Sequence, residues 1–114
     1  MTDLAKKLQI GETGIRVLHA PADVDLDLPE PAGTAAGVLV FVRSREELDA
    51  RAGPALEAAR ADHLAWIAYP KSGQVGTDLN RDRLWAALEG RGVRPVRQVA
   101  IDGVWSALRF RPAG

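Results

Sequence analysis

His63-Leu-Ala-Trp-Ile-Ala-Tyr-Pro-Lys-Ser-Gly-Gln-Val-Gly-Thr-Asp-Leu-Asn-Arg-Asp-Arg-Leu-Trp-Ala-Ala-Leu-Glu89 decides the fold, because it spells a strand, a glycine-bearing loop and a capped helix in succession. Leu64 to Tyr69 are apolar without interruption. A run of that length bounded by turn signals fits a strand covered on both faces, which predicts a central place in a parallel sheet with Trp66 in the core. Pro70 stops the strand, since it has no N–H to give to a ladder. Asn80 suits the N-cap of the helix over 81–89, Asp82 sits where the helix dipole favours a negative charge, and Leu79 and Leu84 are placed for a hydrophobic staple. Gly90 and Gly92 supply the backbone freedom that ends the helix.

Upstream, residues 3–9 predict a short helical turn with Leu4 and Leu8 on one side, and Ile15 to His19 a short strand. Arg16 then requires a place near the edge of the sheet. Between Pro21 and Ala35, Asp23, Asp25, Asp27 and Glu30 meet no basic residue, and the first three alternate with Val24, Leu26 and Leu28. This predicts a half-exposed edge strand with its acids in water. It is no EF-hand, because the sixth and twelfth positions counted from Asp23 are Leu28 and Thr34 rather than Gly and Glu. Gly37 to Val42 reads as a second strand buried on both faces. Ser44 and Glu47 have the spacing of a capping box, and Gly53-Pro54 predicts a helix break with a fresh start at Pro54.

Downstream, Arg94–Ile101 and Val104–Phe110 flank Asp102-Gly103, the dipeptide favoured in two-residue type I′ hairpins. That register puts Val99, Ile101, Val104, Leu108 and Phe110 on one face, expected to be the core side, and Trp105, Ala107 and Arg109 on the other. Strands alternating with helices imply an α/β domain over residues 1–114. The expectation is an open, mostly parallel Rossmann-like sheet with helices packed on it and a C-terminal antiparallel hairpin at one edge.

Fifteen basic residues balance fifteen acidic ones in 114, so net charge gives no argument for a nucleic-acid or anionic-membrane binder, and nucleic acid is not an expected partner. With no cysteine there is no disulfide, thiolate metal site or thiol catalysis. No apolar run reaches the length of a membrane span, and no apolar segment follows Met1, which places the expected compartment in the cytoplasm.

The element order is similar to the C-terminal half of the class I methyltransferase fold. Trp66-Ile-Ala-Tyr-Pro-Lys71, followed by Trp105-Ser-Ala-Leu-Arg109, resembles a family of small bacterial domains of unknown function, over most of the chain from Gly14 onward. The methyltransferase likeness would imply S-adenosylmethionine at the strand C-termini. However, the first strand runs into His19-Ala-Pro-Ala-Asp-Val24 without the glycine-rich turn, and no Asn-Pro-Pro-Tyr-type motif follows Val42. The expectation is therefore no cofactor, no metal and no catalytic set.

Candidate site residues follow from position. His19 ends a strand, where open α/β sheets bind ligands. Lys71, Ser72, Thr77 and Asn80 belong to the loop between the central strand and its helix, where an anion could be held; the order of residues is not that of a P-loop. Trp105 and Arg109 are candidates for an interaction surface. The expected function is a small binding or regulatory module without catalysis. The alternative is a degenerate methyltransferase-like or nucleotide- or anion-binding protein using the loop after the central strand. A small anionic ligand or a protein partner suits either, and a homo-oligomer through a sheet edge is a further possibility.

Overall fold

The computed structural model describes residues 3–11, 14–22, 24, 26, 28, 37–71, 73, 74 and 76–113. Along the chain come α1 (Asp3–Lys7), β1 (Ile15–Leu18), β2 (Gly37–Phe41), α2 (Arg45–Arg51), α3 (Gly53–Arg60), β3 (Ala65–Pro70), α4 (Arg81–Leu88), β4 (Val93–Ala100) and β5 (Trp105–Pro112). The strands form one sheet in the order β1-β2-β3-β5-β4. The acids at 23, 25, 27 and 30 lie outside the described residues. Val24, Leu26 and Leu28 are half-buried against the core face that also holds α1, and no strand is found at these three described positions.

β3 occupies the middle of the sheet with all six residues buried, as its apolar run requires. The expected mostly parallel, Rossmann-like arrangement is overturned. β1–β2 and β2–β3 are parallel, but β3–β5 and β5–β4 are antiparallel, so the sheet is mixed. A connection as short as residues 101–104 can only reverse the chain, whereas a parallel return needs a crossover of a dozen or more residues. The returning strand β5 then takes the place beside β3. Its insertion also explains why β5 is buried from Trp105 to Leu108 on both faces.

The hairpin register differs from the expected one. Ala100 lies opposite Ser106 and Val99 opposite Ala107, one residue out of step with a two-residue turn. The cause is Asp102, whose Oδ1 accepts from the backbone N–H of both Val104 (2.8 Å) and Trp105 (2.7 Å), while the Trp105 carbonyl accepts from Ile101 N–H at 2.9 Å. A one-residue slip exchanges faces. Leu108 and Phe110 pack on the α2–α3–α4 side, whereas Val99, Ile101, Val104, Trp105 and Ala107 pack on the α1 side. An irregularity between Pro95 and Arg97 restores the other register toward the strand's start. A bulge and a proline on an edge strand also discourage further pairing.

Two apolar clusters sandwich the sheet. On one side Val38, Val40, Ile67, Leu108 and Phe110 meet Leu48, Leu56, Ala59, Leu84 and Leu88 of the helices. On the other, Leu39, Phe41, Trp66 and Trp105 meet Ala5, Leu8 and Ile10. β1 is an edge strand, which leaves Arg16 exposed as its charge demands. α2 and α3 part at Ala52, with Pro54 one residue inside α3 rather than at its first position. Asn80 caps α4 by accepting from Arg83 N–H at 2.8 Å, as read from the sequence. Among the described residues no helix is long and apolar enough to cross a membrane.

Ser44 Oγ accepts from Glu47 N–H at 3.2 Å, forming half of the expected capping box. The other half is altered: the Glu47 carboxylate accepts from Arg43 N–H at 2.9 Å, one residue before the cap. Ser44→Ala removes an N-cap acceptor and is expected to lower stability by about 1 kcal/mol, read from the shift in urea midpoint at unchanged slope.

Candidate functional site

β1, β2 and β3 run in one direction, so their C-terminal ends share one border of the sheet. A cleft of about 400 Å³ opens there, against the ends of β1 and β2 and one side of α2. It is lined by His19, Ala20, Pro21 and Ala22 from the turn after β1, by Phe41 and Arg43 from the end of β2, and by Glu47 and Arg51 of α2. Ligands of open α/β sheets bind outside the carboxyl ends of the strands, and this cleft has that position.

Each polar group is placed by local structure. His19 follows β1 directly with φ +62°, a left-handed conformation that turns the chain sharply out of the sheet and leaves the imidazole exposed. Arg43 leaves β2 just before the Ser44 cap, and Glu47 and Arg51 are one helical turn apart on α2. Glu47 Oε1 is 3.2 Å from Arg51 Nη1 and Oε2 is 3.5 Å from Arg43 Nε. Two guanidinium groups thus share one carboxylate, which leaves the cluster one positive charge in excess. Arg43 keeps 59% of its side chain exposed.

The cleft holds one of the residues singled out in the sequence. Lys71, Thr77 and Asn80 do not line it, and Ser72 lies outside the described residues. Several of the described groups of their loop bond to one another. Gln74 N–H donates to the Lys71 carbonyl, Thr77 N–H to the Gln74 carbonyl, and Leu79 N–H to Thr77 Oγ1 at 3.0 Å. Asn80 is occupied as a cap, and Asp78 Oδ1 accepts from Arg45 N–H at 2.9 Å. The amides of Gln74, Thr77, Leu79 and Arg83 are thus already donating within this segment.

Trp105 is 4% exposed and meets Phe41 edge-on at 5.1 Å between ring centroids, which corrects its expected place on an interaction surface. The reason is the insertion of β5 into the sheet. Arg109 is half-buried, and its Nη1 donates to Gln9 Oε1 at 2.6 Å. Trp85 is half-buried against Phe110, at 6.4 Å, and covers the β4–β5 side of the sheet. Buried beneath the helices, the Tyr69 phenol is pushed above its ordinary pKa by desolvation, and its oxygen accepts from Gln98 Nε2 at 2.8 Å.

Sequence reading missed Arg43 and Arg51, and assigned Glu47 only to capping. The available signal was the i,i+4 spacing of Arg43, Glu47 and Arg51 around a helix start at a strand's C-terminal end. Among the described residues no group of three His, Asp or Glu side chains could hold a metal ion. Set against protein-family models, curated proteins and solved structures, the chain matches none.

Proposed function

We propose that this chain is a small binding module whose site is the cleft at the ends of β1 and β2, and that it takes a small anionic group, a phosphate or carboxylate, against Arg43 and Arg51. One observation carries the reading: two arginines and His19 converge on a cleft of about 400 Å³ while sharing a single carboxylate. Guanidinium forks match the geometry of both anions, and a bound anion relieves the excess charge of the pair. The module is proposed to be non-catalytic. Glu47 is committed to two arginines and a backbone N–H, which disfavours it as a base, and His19 has no described partner to orient its ring. The proposed compartment is the cytoplasm, where a chain without cysteines requires no oxidising surroundings.

Titration of 15N-labelled protein with inorganic phosphate and with acetate tests this. Shifts are expected at residues 19–22 and 43–47, with a dissociation constant on the order of 1 mM, or about −4.1 kcal/mol. Arg51→Gln is expected to weaken binding about fivefold without unfolding the domain, roughly 1 kcal/mol. Resonances unmoved at tens of millimolar anion, or moved only in residues 71–80, would remove the cleft as the site.

A further inference from the structure

Four arginines come together on the C-terminal hairpin. The register sets Arg97 opposite Arg109 and Arg94 opposite Arg111. Directly opposed residues share a face of the sheet with Cβ atoms about 4.5–5.5 Å apart, and like charges there are destabilising. Among the described residues, Asp62 is the one carboxylate that hydrogen-bonds to any of the four, accepting from Arg111 Nε at 3.2 Å and Nη2 at 3.3 Å. Arg109 reaches only the neutral Gln9, and its buried Nε has no partner. Arg94 and Arg97 are exposed with no described hydrogen bond or ion pair. Lys6 and Lys7 stand exposed at the end of α1, two or three residues before Gln9. The strain registers in Arg109, whose pKa is held below the ordinary guanidinium value by burial first and then by the charges of Arg111 and Arg97, against the pull of Asp62.

Equal totals of acidic and basic residues therefore do not describe this face, since a local field depends on how charges are distributed. We propose that the Arg94, Arg97, Arg109 and Arg111 face docks the phosphodiester backbone of a nucleic acid without reading its bases. An acidic peptide is disfavoured, because peptide docking draws on apolar anchors. Among the described residues the one large apolar side chain over a third exposed is Val96, at 38%. Backbone binding to nucleic acid needs no such anchor; its free energy comes from counterion release at arginines and lysines. β5 lies inside the sheet, so the hairpin cannot enter a groove as a free ribbon, and contact is confined to phosphates.

Fluorescence anisotropy with a labelled mixed-sequence 20-nucleotide strand, the same sequence as a duplex, and a poly-glutamate peptide of matched charge tests this. Binding to either nucleic acid at low salt is expected, with the peptide at least tenfold weaker. For a single strand held by four arginines, raising salt from about 50 to 200 mM is expected to weaken binding roughly fiftyfold. The double variant Arg94→Glu/Arg97→Glu should lose at least tenfold in affinity while keeping or raising its melting temperature, since it relieves two like-charge pairs, and keeping its response to inorganic phosphate at residues 19–22 and 43–47. Affinity unchanged in that variant, no binding to either nucleic acid, or a peptide bound as tightly as the oligonucleotides would overturn the proposal.

Discussion

Trp66→Ala is expected to cost about 3–5 kcal/mol, the range for truncating a large buried aromatic. Trp66 is fully buried in the centre of β3, between Leu39 of β2 and Arg109 of β5, and its Nε1 donates to the Leu8 carbonyl at 2.9 Å. The substitution therefore removes two things together: the plug of the α1-side core and the hydrogen bond that ties α1 to the sheet. A domain of ordinary stability has about 5–15 kcal/mol in hand, so most of the margin goes. Trp66→Phe separates the two contributions. It keeps most of the apolar area and strands the buried Leu8 carbonyl, at about 1–3 kcal/mol. Urea denaturation followed by circular dichroism measures both. An alanine variant within 1 kcal/mol of the parent would mean that β3 is not where it has been placed.

Phe41→Ala is expected to be of similar size, about 3–5 kcal/mol. Phe41 is 1% exposed, packs edge-on against Trp105, and lines the cleft together with His19 and Arg43. About 0.5–1.5 kcal/mol of the cost belongs to the aromatic pair itself, beyond its area. Phe41→Leu keeps the volume closer and is expected to stay folded, with amide shifts at His19 and Arg43 and at Trp105. Shifts at Trp105 without any at His19 would detach the cleft from the core beneath it.

The centre of the fold was legible because it rests on contiguous burial. Leu64 to Tyr69 and Gly37 to Val42 contain no polar residue, and such runs can only be strands or helices covered on every side. Caps at Ser44 and Asn80 were legible for a similar reason, since capping is local chemistry. Strand direction was not. Burial on both faces was taken as the mark of a parallel sheet, yet a strand returning from a hairpin is buried equally well when it slots between β3 and β4. The hairpin register was lost to one carboxylate, since Asp102 accepting two backbone N–H groups favours a longer turn than Asp-Gly alone suggests.

The candidate site was legible in one residue. His19 stood out by its place at a strand's end. Arg43 and Arg51 did not, because a long charged side chain beside a helix start is usually a solvated one, and only the fold brings it across from the turn after β1. The arginine face was legible in part: Arg109 stood out as a candidate for an interaction surface, but its place opposite Arg97 did not. Arg97 and Arg109 are twelve positions apart, and the slip that sets them opposite each other is the same one that Asp102 imposes.

Interstrand proton contacts measured by nuclear Overhauser spectroscopy test the central claim, that β5 and not another parallel strand lies beside β3. The expected series pairs Trp66 with Arg109, Ile67 with Leu108, Ala68 with Ala107 and Tyr69 with Ser106, so that one number falls as the other rises. A series in which both numbers rise, or one that joins β3 to β4, would contradict the sheet order and the site built on its border.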